Sequence, residues 1–394
     1  MRSANVRSSI LAATVMTVLM CSAADAQAPV SSAPDTPFKL ATFEADGRLG
    51  VGLVFGNRLF DLAAANAYLI KTAGVAPMLL PGDMRAVIEQ YAVISPRLYQ
   101  IANYFKDKAG QQFPFARGIE QVAIKAPVMY PANVLCAAAN YRAHAEGMGN
   151  VMTGAPPAPA TQPPAASPAP PARPGAGGGG FNAAAAALVD PDRDPPIMFA
   201  KSPRSCIIAS GEPYYIAAGR DRMDWEGELA IIIGKPSYMV PKDKAHDAVF
   251  GYSIMYDVSD RGGRKREVSM FQGANWFEGK SVDRGAPLGP FIVPKEFLPN
   301  FENLRIVTKV NGVVKQDGNS GSLIWKERHL IEYLTSVLTL YPGDVISTGT
   351  PSGTGMERQE FLKPGDVVTI EIEGIGTLTT PMKSAVDRPA ESSK

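Results

Sequence analysis

The sequence predicts a mainly β protein with some α, an α+β fold in which a small N-terminal unit precedes a larger β-rich domain. Three observations predict it. Leu229–Ile233 and Val249–Asp257 are short apolar runs, the pattern of strands buried on both faces. Pro-Gly-Asp-Val occurs twice, at 342–345 and 364–367, each time as a turn feeding a strand. Beyond Pro196 helices are few, 326–338 being the best candidate.

From the N-terminus, Arg2 and Arg7 precede an apolar run, Ile10–Met20, and then Ala24-Asp25-Ala26, the layout of a secretory signal peptide with its cleavage site. The run falls short of the ~20 apolar residues a spanning helix needs. Residues 1–26 are therefore expected to be removed, and the protein to be exported, periplasmic or secreted, with no membrane attachment after cleavage. Residues 27–37, rich in Ala, Pro and Ser, read as a flexible leader. Next come strand-like segments, Phe38–Phe43, Leu49–Phe55 and Leu59–Leu62, around Asp46-Gly47 and Gly56-Asn57, which imply a small sheet. In 82–107, Met84, Val87, Ile88, Tyr91, Ile94, Leu98, Ile101 and Tyr104 recur at spacings of three and four, as in amphipathic helices. A small N-terminal α+β domain over 38–125 follows.

The second domain is expected over 131–386, with a loose tail at 387–394. It begins with an apolar strand, Val134–Ala138, that runs into Asn140-Tyr141-Arg142-Ala143-His144. The chain carries 34 prolines and 37 glycines in 394 residues, and nine of those prolines lie between Ala155 and Pro174. Arg173 is the only charge between Gly147 and Val189. Such a segment buries too little to offset its ordering entropy, so 148–190 is expected to be a disordered Pro/Ala/Gly-rich insertion. Near the end, Thr369–Gly374 alternates cleanly, as a strand with one buried face does.

Lys and Arg number 39 against 38 Asp and Glu, and that balance offers no basic surface for nucleic acid. Cys136 and Cys206 sit in apolar, strand-like contexts and read as buried free thiols; no zinc spacing exists. GxSxG, HExxH and GxGxxG are all absent, which argues against serine hydrolase, zincin and dinucleotide chemistry. Glu226 and Glu228 stand side by side at the mouth of the 229–233 strand, and Asp257 ends another buried strand. Buried carboxylates in such company call for a cation, and three of them suit Mg2+, Mn2+ or Ca2+. His144 follows a strand end where catalytic groups often sit, while Lys201, Arg261 and Lys280 lie near Gly and Pro turns and suit a carboxylate substrate. Gly349-Thr350-Pro351-Ser352-Gly353-Thr354-Gly355 can cradle a small anion with backbone amides and the Thr350 hydroxyl.

These pieces join into a pattern. Asn140-Tyr141-Arg142-Ala143-His144, Phe199-Ala200-Lys201-Ser202-Pro203, Glu226-Gly227-Glu228-Leu229-Ala230, Gly251-Tyr252 through Asp257-Val258-Ser259, Gly279-Lys280-Ser281 with Pro287-Leu288-Gly289-Pro290, Asn311-Gly312 with Gln316, and Gly349-Thr350-Pro351-Ser352-Gly353 resemble, in that order, the fumarylacetoacetate hydrolase family. The resemblance implies a mixed β-sandwich or roll like the C-terminal domain of fumarylacetoacetase, a homodimer, and one divalent cation per active site, Mg2+ or Mn2+ with Ca2+ as a further candidate. Glu226, Glu228 and Asp257 match the metal carboxylates and His144 the catalytic histidine. Lys280 and Arg261 match its substrate cations, Lys280 counting also with the catalytic set. Thr350 matches its carboxylate-binding threonine and Lys201 a recurrent active-site lysine. Tyr141 stands in the histidine motif and joins the substrate-binding set.

The chemistry implied is that of a 2-oxo acid chelating the cation, which stabilises an enolate, while His144 activates water or moves a proton. The expected activity is hydrolysis of a carbon-carbon bond or isomerisation, on a 2-oxo or enol dicarboxylate or an acylpyruvate-like compound. A decarboxylase, or a protein that binds metal and oxo acid without turnover, is the alternative. Two positions depart from the family pattern. The glutamate that hydrolysing members carry three residues after the histidine is here Gly147, with Glu146 one residue earlier and about 100° away round a helix, as the candidate replacement. The glutamine expected three residues after Arg261 is Arg264.

Overall fold

The structure, a computed structural model, describes residues 29–108, 110–153, 183–262 and 275–390. The expected signal peptide, the middle of the insertion and Arg264 lie outside the described residues.

Among the described residues twelve strands join in one sheet. At its centre Gly227–Ile233 is buried along its whole length. It pairs antiparallel with Val249–Tyr256, Glu228 opposite Met255, and with Val345–Ser347, Ala230 opposite Ser347. Val345–Ser347 in turn runs parallel to Val134–Ala138. Period-two alternation sends Leu229, Ile231 and Ile233 into one core and Ala230 and Ile232 into another. That is why this run is apolar throughout.

Two different partners cover the two faces. Leu229 and its neighbours share their core with Leu330, Ile331 and Leu334 of the helix Glu327–Val337, and with a five-stranded sheet that includes Arg305–Val310 and Val367–Ile372. Ala230 and Ile232 pack in the core that holds Leu40, Leu53, Leu98 and Ile101 from the N-terminal stretch. The strands of 38–125, read as a small sheet of their own, instead extend the large one: Lys39–Ala45 pairs antiparallel with Ala286–Pro294, Leu40 opposite Ile292. The even-numbered face of the central strand is apolar and needs cover, and the N-terminal stretch supplies it.

The periodic segment folds as Met84–Glu89 and Tyr91–Phe105. A further helix, Leu62–Ala73, not expected from the sequence, is closed at both ends: the Asp61 carboxylate accepts the Ala64 amide at 2.8 Å as an N-cap, and Gly74 adopts φ 63° just past the end. The repeated Pro-Gly-Asp turns share one construction. Gly343 and Gly365 take φ of 87° and 99°, and the following aspartates accept backbone amides, Asp344 from Tyr341 at 2.8 Å and Asp366 from Lys363 at 2.9 Å. The margins of the expected disordered insertion are helical, Arg142–Thr153 and Ala183–Leu188, joined where the Arg142 guanidinium donates to the Ala186 and Val189 carbonyls. Cys136 and Cys206 are buried free thiols.

Candidate active site

Four segments meet at one place because of these pairings. Val249–Tyr256 ends at Asp257, Gly227–Ile233 begins beside Glu226, Val345–Ser347 leads into the loop 348–354, and Val134–Ala138 leads through Asn140 into the helix Arg142–Thr153. The Asp257 amide donates to the Glu226 carbonyl at 3.0 Å and fixes two segments together. The buried Asn140 amide group donates to the carbonyls of Trp325 at 2.9 Å and Thr348 at 2.8 Å, tying in the others. Where they meet, one oxygen from each of Glu226, Glu228 and Asp257 lies within 4.8 Å of the other two, all three residues buried.

Carboxylates so close and so dry repel each other and are costly to desolvate. Three cations offset that cost. The Lys280 ammonium lies 2.6 Å from both Glu226 Oε2 and Asp257 Oδ2, and donates to Ser259 Oγ at 2.6 Å. Lys201 reaches Asp257 Oδ1 at 2.6 Å. The Arg261 guanidinium spans Glu226 and Asp224, at 2.9 Å from Asp224 Oδ2. Lys201, Arg261 and Lys280, expected to face a substrate, thus all lie against the site's own carboxylates.

The pairing is uneven. Burial works to raise Glu226, but Lys280 and Arg261 beside it hold its carboxyl well below the usual range. Glu228 has no cation in hydrogen-bond contact among the described residues. Burial first, then repulsion from Asp257 and Glu226, pushes it up to about 8, against the opposing hydrogen bond of the Ser347 hydroxyl at 2.5 Å. Burial likewise works to lower Lys280, and Asp257 and Glu226 outweigh it. Three buried carboxylates, one of them short of positive charge, fit a hard divalent cation that takes oxygen ligands.

The glycine-rich loop turns its amides on the protein's own acids rather than outward on an anion. Gly349 N–H donates to Glu228 at 2.9 Å, Gly353 N–H to Glu357 at 2.6 Å, and Met356 N–H to Asp224 at 3.1 Å. The Thr350 hydroxyl donates to the Gly227 carbonyl at 3.1 Å and accepts from the Gln316 amide at 2.7 Å, while remaining on the wall of the cavity. Burial and the nearby Glu228 raise the Tyr141 hydroxyl, whose oxygen is buried without a hydrogen-bond partner among the described residues.

A cavity of about 20 Å3, room for one water, is lined by His144, Glu226, Glu228, Arg261, Lys280 and Thr350 among others. Glu146 is not part of that lining. The carboxylate beside His144 is instead Glu357, which meets Nδ1. The one-residue offset of Glu146 rotates its side chain round the helix, away from the face that His144 shares with Gly147. Glu357 and Asp224 are the site residues that sequence reasoning missed. Asp224 adjoins the Glu226 motif, so its place was visible; Glu357 lies 213 residues from His144, and no local spacing connects them.

Comparison with known proteins gives the family and the fold. The family described as fumarylacetoacetate (FAA) hydrolase C-terminal matches residues 175–383, more than half the chain. An uncharacterized protein of Staphylococcus aureus strain USA300 is 47% identical over 162 residues, 41% of this chain and 52% of its own length. The chain spans about half the length of the curated relatives it matches. Among solved structures, 5-carboxymethyl-2-hydroxymuconate delta-isomerase from Mycobacterium smegmatis aligns at TM-score 0.56 and 25% identity, covering 88% of this chain and 98% of that one. Fumarylacetoacetate hydrolase from Exiguobacterium antarcticum aligns at TM-score 0.58 and 26% identity, covering 88% and 99%. Maleylpyruvate hydrolase from Sphingobium sp. SYK-6, solved with manganese(II) and pyruvate, shares the fold at TM-score 0.58 and 24% identity, with coverage of 88% and 99%.

Proposed function

The chain belongs to the fumarylacetoacetate hydrolase family, and on that premise we propose that it is a divalent-metal-dependent enzyme that hydrolyses or isomerises a 2-oxo or enol dicarboxylate or an acylpyruvate-like compound. The observation that carries this reading is the buried triad of Glu226, Glu228 and Asp257, two of whose members, Glu226 and Glu228, line one small cavity together with His144. The triad would hold Mg2+ or Mn2+, and the bound cation would supply Lewis-acid polarisation of the substrate's keto oxygen. Glu228, in its ionised form, would supply the third anionic ligand. Lys280 and Arg261 hold the Glu226 carboxyl low, and the positive charge that they and Lys201 bring beside the triad favours an anionic substrate. His144 takes or returns the proton that the reaction moves. Thr350, Trp276 and Phe199 also line the cavity.

Relatives named as a hydroxymuconate isomerase and a fumarylacetoacetate hydrolase support the substrate class. The test is turnover of an acylpyruvate, a hydroxymuconate-type dicarboxylate and oxaloacetate with Mn2+ or Mg2+ present and removed. Metal-dependent turnover of one of the first two is expected. Oxaloacetate decarboxylation alone would favour the lyase reading, and Mn2+ binding without turnover would favour a binding protein. The proposal includes export, supported by the signal-peptide layout of residues 1–26, and a homodimer, supported by the family resemblance. N-terminal sequencing of the secreted protein and sedimentation check those two points.

A further inference from the structure

We infer that Ser347 is the positioning residue that makes Glu228 a single-oxygen ligand, an inference that rests on the reading of the triad as a metal site. The sheet puts the serine there. Ser347 stands opposite Ala230 across the antiparallel pair and opposite Cys136 across the parallel one. Residues opposite each other share a face, and Glu228 lies two residues from Ala230, so Ser347 and Glu228 are diagonal neighbours on one side of the sheet. The Thr348 amide donates to the Leu229 carbonyl at 3.0 Å, which carries the pairing one step further and brings Gly349 level with Glu228.

Both donors then fall on the same atom. The Ser347 hydroxyl donates to Glu228 Oε2 at 2.5 Å, and the Gly349 amide donates to the same oxygen at 2.9 Å. Ser347 and Glu228 are 0% and 1% exposed, so bulk water does not compete for either bond. The other two carboxylates are held differently. Both oxygens of Glu226 lie against cations, Arg261 and Lys280, and both oxygens of Asp257 lie against Lys201 and Lys280. Among the described residues Glu228 Oε1 is the triad oxygen with no hydrogen-bond partner, and Glu228 lines the cavity. Two donors to an ionised carboxylate hold Oε2 against the sheet, and Oε1 is left for a cation that takes oxygen ligands. Without the hydroxyl only the Gly349 amide holds Oε2, which is then freer to turn toward the cavity beside Oε1.

The next residue shows how much the choice of face matters. Thr348 turns its hydroxyl the other way, where the residue shares a wall with Leu229 and Ile231 and its oxygen is buried without a hydrogen-bond partner among the described residues. Two adjacent hydroxyls are thus equally dry, and only one reaches the triad.

That contrast sets the test, made on the full chain. Mn2+ affinity is measured by calorimetric titration, and the electron paramagnetic resonance spectrum of bound Mn2+ reports the symmetry of its ligands. Ser347→Ala should weaken Mn2+ binding by about 10-fold or more and change the zero-field splitting, as loss of a hydrogen bond behind a metal ligand does. Ser347→Cys keeps the size with a weaker donor and should fall between Ala and wild type. Thr348→Val should stay within about twofold of wild-type affinity, with the wild-type spectrum. If Ser347 served packing alone, Ser347→Ala would shift the Tm of the metal-free protein and leave both Mn2+ readouts as in wild type, which would overturn the inference. An equal loss in Thr348→Val would overturn it too, because the effect would then not depend on contact with Glu228. A wild type that binds no Mn2+ would sink the metal-dependent function and this inference together, whereas an unchanged S347A in a wild type that binds Mn2+ would sink this inference alone.

Discussion

His144 and His246 both rest on a carboxylate, and the two pairs sit in unlike company. His246 Nδ1 lies 2.9 Å from Glu327 Oε1, and the other oxygen of Glu327 accepts the Tyr252 hydroxyl at 2.6 Å. The His246 ring stacks on Phe301, which stacks on Tyr252. Its side chain is 48% exposed, against 7% for His144. Around Glu327 the walls include Leu229, Ile231, Tyr252 and Phe301, with Glu302 and Lys326; around His144 they include two carboxylates, Glu226 and Glu228, and two cations, Arg261 and Lys280. A histidine-carboxylate pair is therefore no sign of chemistry in itself. The neighbours differ: aromatic rings pack around one pair, and a charged cavity adjoins the other, which is why the proposed function gives His144 alone a proton to move.

The largest expected effect removes what distinguishes the two. Glu226→Gln should abolish Mn2+ binding measured by calorimetry or electron paramagnetic resonance, because it takes away an anionic ligand and leaves Lys280 and Arg261 undercompensated. Glu327→Gln should leave Mn2+ affinity unchanged; a loss there would mean that the pairs are coupled. Next, His144→Asn should lower kcat by about 10²- to 10⁴-fold, while His246→Asn stays within about twofold. Equal losses would erase the distinction. Third, Glu327→Gln should destabilise the fold by about 1–3 kcal/mol in denaturant titration, since a buried carboxylate that accepts from a tyrosine and a histidine is replaced by a neutral amide.

The smallest effect concerns His329, the third histidine. Burial lowers its pKa from 6.5, and its Nδ1 accepts the Lys326 amide at 3.0 Å, which requires the neutral ring. Below 6.5 the unfolded chain binds the proton first. Stability is therefore full above that pH and falls as the pH drops toward the lowered native value. Wild type should lose more Tm than His329→Gln between pH 7 and pH 5.5, and identical losses would show that the ring contributes nothing to the acid response.

Much of this was legible along the chain. The apolar run 229–233 announced a strand with two covered faces, the 326–338 window contains the observed helix Glu327–Val337, and Glu226 with Glu228 marked an acidic strand mouth. Local patterns determine such features because backbone hydrogen bonding and side-chain periodicity act over a few residues. They miss what joins distant segments. The stretch 38–125 looked like a unit to itself because its strands and helices are locally complete, yet its apolar face is the cover for Ala230 and Ile232.

The sequence by itself determined the fold class, the family and the acidic residues, since each is written in short-range pattern. Only the tertiary structure decided which charges meet. Lys201, Arg261 and Lys280 could not be assigned to the triad rather than to solvent until pairing in the sheet brought their segments together. The same holds for the carboxylate on His144. A glycine at 147 read in isolation is a missing acid, and in space a Cβ there would lie 3.0 Å from Cδ of Glu357, whose carboxylate meets His144. Coulomb energy and steric exclusion depend on distance in space, and sequence separation says nothing about that distance.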